Sequence, residues 1–107
     1  MSFKWKLGRQ NSGYEKLTLC RFIFFDLYLL RYKQGAYIKK HVDAVSNRKH
    51  FRLNVVLKKV EGGEFICPDA FINTSRIKFF RPDIHEHSVS EVLSGTRYVL
   101  SLGWALK

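Results

Sequence analysis

The sequence predicts an all-β domain of double-sheet jelly-roll type with little helix. Three features of the chain point that way. Short runs rich in aromatic and aliphatic residues recur at regular intervals along the 107 residues. Turn signals separate them: Gly35, Glu61-Gly-Gly63, Pro68-Asp69 and Ser94-Gly95. The composition, 46% hydrophobic and 15% aromatic, is that of a folded globule with one core and not of a basic disordered tail.

Taken in order, Gly8-Arg-Gln-Asn-Ser-Gly13-Tyr14 reads as irregular, and Glu15-Lys-Leu-Thr-Leu leads into a first long strand from Phe22 to Lys33. After the turn at Gly35 comes a strand from Tyr37 to Asp43, then a polar loop from Ala44 to Lys49. His50 to Lys59 forms the next strand, and Glu61-Gly-Gly63 a tight turn. That glycine pair is no phosphate loop, because no Lys-Ser/Thr follows it. Glu64 to Cys67, Phe71 to Asn73 and Arg76 to Arg81 are short strands, the last two divided by Thr74-Ser75. His87 to Leu93 and Thr96 to Leu106 make a final pair joined around Ser94-Gly95. The whole is expected to be one domain, with residues 1–21 as an N-terminal cover segment and 22–106 as the barrel core. The cover segment suits a sheet edge, or a strap over the pocket.

Alternation divides the last strand. Arg97, Val99 and Ser101 share one face; Tyr98, Leu100, Leu102 and Trp104 share the other. With Arg97 inward, the apolar set points outward and needs a cover, either the N-terminal segment or a second copy in a homodimer.

A formal charge of +10, from 19 basic and 9 acidic residues, attracts nucleic acid or an acidic protein surface at long range. It equally describes solubilising surface charge, since no tight basic run accompanies it. Cys20 and Cys67 lack zinc-motif spacing and make a poor disulfide framework, so both are expected to be core or near-core thiols. The most apolar run, Phe22 to Leu30, contains Asp26 and falls far short of the roughly 20 residues that span a bilayer. No apolar stretch of signal-peptide type follows the N-terminus, so a cytoplasmic location is expected and a membrane partner is not.

The chemistry is concentrated in a few polar residues. His41 and Asp43, two apart on a strand, face the same way. A second histidine from a distant strand would complete a two-His, one-carboxylate set, the facial triad that leaves positions open on non-haem Fe(II). Two candidates, His85 and His87, share one face of Ile84-His85-Glu86-His87 if that stretch is extended. His50 is best taken as incidental. Asp83 and Glu86 suit surface or turn roles.

The motifs follow a family order. Tyr32-Lys-Gln-Gly35-Ala-Tyr37 precedes His41-Val-Asp43; Arg52-Leu-Asn54-Val-Val-Leu57, Gly62-Gly63-Glu64-Phe65 and Phe80-Arg-Pro82-Asp83 come next. His87-Ser-Val89-Ser-Glu-Val92-Leu-Ser-Gly95-Thr-Arg97-Tyr-Val-Leu100-Ser-Leu-Gly-Trp104 closes the series. Over roughly residues 22 to 104 this resembles the 2-oxoglutarate- and Fe(II)-dependent oxygenases, most of all their prolyl-hydroxylase-like branch. The resemblance implies that the jelly roll is a double-stranded β-helix, cupin-like in shape, and that His41, Asp43 and His87 hold Fe(II), with His87 preferred to His85 for its spacing to Gly95 and Arg97. It implies that 2-oxoglutarate chelates the metal and that Arg97 meets its far carboxylate; a guanidinium pairs with a carboxylate through two bonds and keeps its charge. Tyr32 would add a hydroxyl donor, and Asn54, where the branch often has a small hydroxyl residue, would line the same pocket. Tyr37, near the first ligand, reads equally well as a structural tyrosine.

The implied activity is oxidative decarboxylation of 2-oxoglutarate to succinate and carbon dioxide, coupled to hydroxylation or demethylation of a substrate. A protein side chain such as peptidyl proline, a nucleobase and a small metabolite are all open as that substrate. Two alternatives stand beside this one: a non-catalytic basic barrel that binds nucleic acid or an acidic macromolecule, and a cupin-like metal enzyme independent of 2-oxoglutarate.

Overall fold

A computed structural model describes residues 5–7, 13–43 and 48–106, and among these there is no α-helix. Twelve strands appear in chain order: β1 (Trp5–Leu7), β2 (Tyr14–Phe22), β3 (Phe25–Tyr32), β4 (Ile38–His41), β5 (Lys49–Lys58), β6 (Glu61–Gly62), β7 (Phe65–Ile66), β8 (Ile72–Asn73), β9 (Ile77–Phe80), β10 (His87–Val89), β11 (Val92–Ser94) and β12 (Arg97–Leu106). One large sheet has the order β1-β2-β3-β12-β5-β9-β8; β4-β10-β7 and β11-β6 form two smaller ones. All the strand pairs are antiparallel. The core lies between them: Leu30, Tyr32, Val56, Phe80 and Val99 from the large sheet meet Phe65, Val89 and Val92 from the small ones. This is the jelly roll expected from the sequence.

Strand alternation sets which residues see that core. On β12 the buried positions are Arg97, Val99, Ser101 and Gly103, and the intervening Tyr98, Leu100, Leu102 and Trp104 are only partly buried, as read from the sequence. Across the outer face Leu27, Leu102, Leu53 and Phe79 stand in one cross-strand row. Phe51, Phe79 and Trp104 stack there with centroids 5.8–6.1 Å apart. The described part of the N-terminal segment continues the same sheet beside β3.

Three expectations about the strands are corrected. The single long strand begun at Phe22 is a hairpin, with β2 ending at Phe22 and β3 starting at Phe25 around a turn at Ile23-Phe24. Two-residue hairpin turns favour Gly, Asn or Asp, and none is present, so the sequence carries no signal for it. The Glu61-Gly62 turn is itself a short strand paired with β11. The final pair does not exist as a pair: β10 lies in the small sheet against β4 and β7, whereas β12 sits between β3 and β5. Ser94-Gly95 therefore carries the chain from one sheet to the other. Of the Ala44 to Lys49 loop, residues 44–47 lie outside the described residues, as do 8–12 of the irregular N-terminal stretch.

Candidate metal centre and adjoining cavity

His41 ends β4, and His87 opens β10 directly opposite it in the antiparallel register. The two rings stand 4.3 Å apart between centroids. Asp43 follows β4, past its end, and its backbone N–H donates to the Pro82 carbonyl at 2.6 Å, which fixes the chain there. Its carboxylate then reaches both rings: Oδ1 lies 3.4 Å from His41 Nε2 and Oδ2 3.6 Å from His87 Nε2.

The second nitrogen of each ring decides what this cluster can hold. His41 Nδ1 lies 2.7 Å from the Lys39 carbonyl and His87 Nδ1 2.9 Å from the His85 carbonyl. A carbonyl only accepts, so each Nδ1 carries the proton and donates. In the neutral rings both Nε2 atoms then present lone pairs towards a carboxylate, with the three ligand atoms within 4.8 Å of one another. Three acceptors facing one point repel each other unless a cation lies between them. Two imidazole nitrogens and one carboxylate oxygen fit a first-row divalent metal, whose bonds of about 2.0–2.2 Å would draw neighbouring ligand atoms to about 3 Å apart. The backbone bonds to Nδ1 are the partners that orient metal-binding histidines.

His85 does not join the cluster. Its Nδ1 accepts the Arg81 N–H at 3.0 Å and its ring meets Phe71 edge-on at 4.9 Å, so it closes the turn after β9. Asp83 pairs with Arg81 in that same turn, at 2.6 Å. Glu86 is exposed and lies 3.6 Å from Lys40. Tyr37 is partly buried.

A cavity of about 350 Å³ adjoins the three ligands and is walled on the other side by the large sheet. Tyr32, Asn54 and Arg97 all line it. Arg97 is 5% exposed, and its guanidinium lies over the Tyr32 ring, 5.1 Å from the centroid. Among the described residues no carboxylate pairs with it. Burial pulls its pKa down and the neighbouring Tyr32 acts in the opposite sense. A buried cation left without an anion is costly, so an anionic ligand would relieve it. Burial also raises the Tyr32 phenol, which stays protonated and able to donate. Gly63 makes room for the arginine stem: its φ is +61°, and a Cβ there would come within 3.1 Å of Arg97 Cδ.

Sequence reasoning missed a polar network on the same wall. Ser101 Oγ donates to Asn54 Oδ1 at 2.6 Å; Arg52 donates to Ser101 Oγ at 2.7 Å and to Asp26 Oδ1 at 2.8 Å. The alternation of β12 places Ser101 inward, but its partners depend on which strands flank it. Arg52 occupies space that Gly103 leaves open, since a Cβ at that position would lie 2.2 Å from its Nη2. His50, expected to be incidental, also lines the cavity; burial and then Arg52 lower its pKa.

No protein-family model matches the chain, and no curated protein matches it in sequence. Solved structures do match in shape. A viral collagen prolyl hydroxylase from Paramecium bursaria Chlorella virus-1, in its 2OG complex, is 25% identical with a TM-score of 0.58, over 77% of this chain and 59% of its own. An RmlC-like cupin protein from Desulfovibrio desulfuricans is 19% identical with a TM-score of 0.59, over 92% of this chain and 89% of its own. A putative sugar phosphate isomerase from Acidithiobacillus ferrooxidans is 17% identical, also at 0.59, over 97% and 68%. The fold is the cupin-type jelly roll. Its neighbours include enzymes of more than one kind, and this chain spans little more than half the length of the viral hydroxylase.

Proposed function

We propose that the protein is an Fe(II)- and 2-oxoglutarate-dependent oxygenase that hydroxylates or oxidatively demethylates an organic substrate. One observation carries the proposal: His41, Asp43 and His87 converge beside a cavity whose opposite wall holds a buried arginine with no carboxylate partner among the described residues. The likeness to a prolyl hydroxylase solved with 2OG supports it. A metal-binding barrel that takes a neutral ligand has no need of Arg97 in that position.

In this reading His41, Asp43 and His87 hold the metal, and Arg97 takes the far carboxylate of 2-oxoglutarate. Bound Fe(II) and 2-oxoglutarate supply oxidative decarboxylation to succinate, coupled to oxidation of a C–H bond. The chain's own residues position and shield. The Lys39 and His85 carbonyls hold the two imidazoles in the tautomer that presents Nε2. Phe80 and Phe65, with ring centroids 5.0 and 6.3 Å from that of His87, keep water from one side of the site. Tyr32 keeps its proton and offers a donor beside Arg97, and Asn54, held by Ser101, presents its amide to the same cavity.

The test is succinate formation by the purified protein with Fe(II), oxygen and 2-oxoglutarate, alongside 2-oxoglutarate binding to protein loaded with Mn(II) in place of iron. Metal-dependent binding and slow succinate release without added substrate are expected. Absence of both would move a second reading forward, a basic barrel that binds nucleic acid, which the charge of +10 favours. That reading requires retention of single-stranded DNA that weakens steeply with salt.

A further inference from the structure

A second cavity, of about 370 Å³, shares Arg97 with the first. Among the described residues its charged lining is lopsided: Lys59, Lys78 and Arg97 stand with a single carboxylate, the exposed Glu64. Lys78 is the unusual member. It sits on β9 opposite Asn54 on one side and Asn73 on the other, at an inward position of a strand, and is only 8% exposed. Lysine is almost never buried unless paired. Here its ammonium donates to Asn73 Oδ1 at 2.8 Å and to the Thr74 carbonyl, both of them neutral acceptors. Burial, then Arg97 and Lys59, lower its pKa, and Glu64 only partly offsets them. The molecule therefore gathers three cations in one recess, two of them buried, with less than matching negative charge.

We propose that this second cavity binds a small tetrahedral oxyanion of the phosphate or sulfate type, held by Lys78 and Lys59, with the charge of Arg97 at its wall adding to the attraction. Charged hydrogen bonds to an oxyanion would satisfy what neutral acceptors leave uncompensated. Asn73 turns its oxygen to Lys78, which leaves its amide N–H groups to donate, and Ser75 adds a hydroxyl to the lining. Lys78 and Asn73 from two strands, with Lys59 and Ser75 from two connections, suit an ion with four oxygens better than a planar carboxylate. None of the three metal ligands lines this cavity, so the site is tested on metal-free protein.

The experiment follows thermal unfolding and heat of binding as inorganic phosphate, then sulfate, replaces chloride at constant ionic strength. A saturable rise in Tm with either ion is expected, because a ligand that binds only the folded state stabilises it. Lys78→Met should abolish the response. Lys59→Gln should weaken binding by about two- to fivefold, the range of one exposed ion pair, and covers the case in which Lys78→Met does not fold. Lys6→Met, on β1 at the opposite edge of the large sheet, should leave the response unchanged. A flat wild-type response to both ions overturns the proposal, as does a response that survives Lys78→Met or fails equally in Lys6→Met. Lys78-dependent stabilisation by 2-oxoglutarate, with none by phosphate or sulfate, also overturns it and assigns Lys78 to the dicarboxylate of the first cavity.

Discussion

The sheets on either side of the cavity are built differently and contribute different chemistry. The large sheet brings Tyr32, Asn54 and Arg97 on strands of 8, 10 and 10 residues, each laddered along most of its length. The small sheet brings His41 and His87 on strands of 4 and 3 residues, and their pairing shifts register between His87 and Val89. Long ladders fix side chains by strand alternation alone. Short strands have too few backbone bonds for that, so the ligands are set one by one through His41 Nδ1 to Lys39, His87 Nδ1 to His85 and the Asp43 N–H to Pro82. The ligand end should therefore tolerate change in structure but not in chemistry, and the large-sheet end should show both kinds of loss.

The largest expected effect lies at the ligand end. Asp43→Ala should abolish metal binding and metal-dependent succinate formation, since two imidazoles alone would face the cation. The carboxylate is partly exposed and packs into no core, so metal-free stability should change by no more than about 0.5 kcal/mol. Metal titration and thermal unfolding of the same preparation check both halves, and an unfolded variant would break the comparison.

Arg97 comes next. Arg97→Ala should weaken 2-oxoglutarate binding to Mn(II)-loaded protein by roughly tenfold to a hundredfold, the loss of a charged hydrogen-bond partner worth about 1.5–3 kcal/mol. Arg97→Lys should retain part of the affinity, because charge survives while the two-pronged fork is lost. Metal affinity should be unaffected in both. Equal 2-oxoglutarate affinity in all three proteins would remove Arg97 from the site.

The same contrast governs what could be read from the sequence. The inward set Arg97, Val99 and Ser101 was legible because β12 alternates over 10 residues, and the family order picked out His41, Asp43 and His87, which the fold gathers into one cluster. The hairpin at Ile23-Phe24 was not legible, since Ile23 is 88% exposed and apolar, and neither residue announces a turn. Nor was the separation of β10 from β12, because a Ser-Gly connection between two sheets looks the same in sequence as a hairpin within one. Arg52, Asp26, Ser101 and Asn54 belong to four positions whose contact depends on the order β3-β12-β5, a nonlocal fact. Their chemistry emerges only when that order is known.

Gly103→Ala tests this network directly. The new methyl would sit 2.2 Å from Arg52 Nη2, so the guanidinium must move away from Asp26 and Ser101. A loss of about 1–3 kcal/mol is expected, as partly buried polar groups lose their partners. Metal affinity should hold, because no ligand is carried by β12, β3 or β5. Denaturant unfolding and metal titration separate the two, and a parallel fall in metal affinity would show that the sheets are not independent.

The smallest effect is expected at the sheet's N-terminal side, in an ion pair that involves no ligand. Glu15 on β2 receives Arg31 through two bonds, at 3.1 and 3.0 Å, and Lys33 lies 3.4 Å away. The Arg31 bonds, helped by Lys33, hold the carboxyl below its ordinary value of 4.5. A carboxyl lowered on folding contributes stability that is complete above the unfolded value and lost as pH falls through the folded one. Wild type should therefore lose a small part of its stability below about pH 4.5, and Glu15→Gln should flatten that part of the profile. Both side chains are about one-fifth exposed, so the difference at pH 7 should be only about 0.2–1 kcal/mol and should shrink in high salt. A steeper acid slope in Glu15→Gln than in wild type would reverse the sign and show that the fork does not survive in solution.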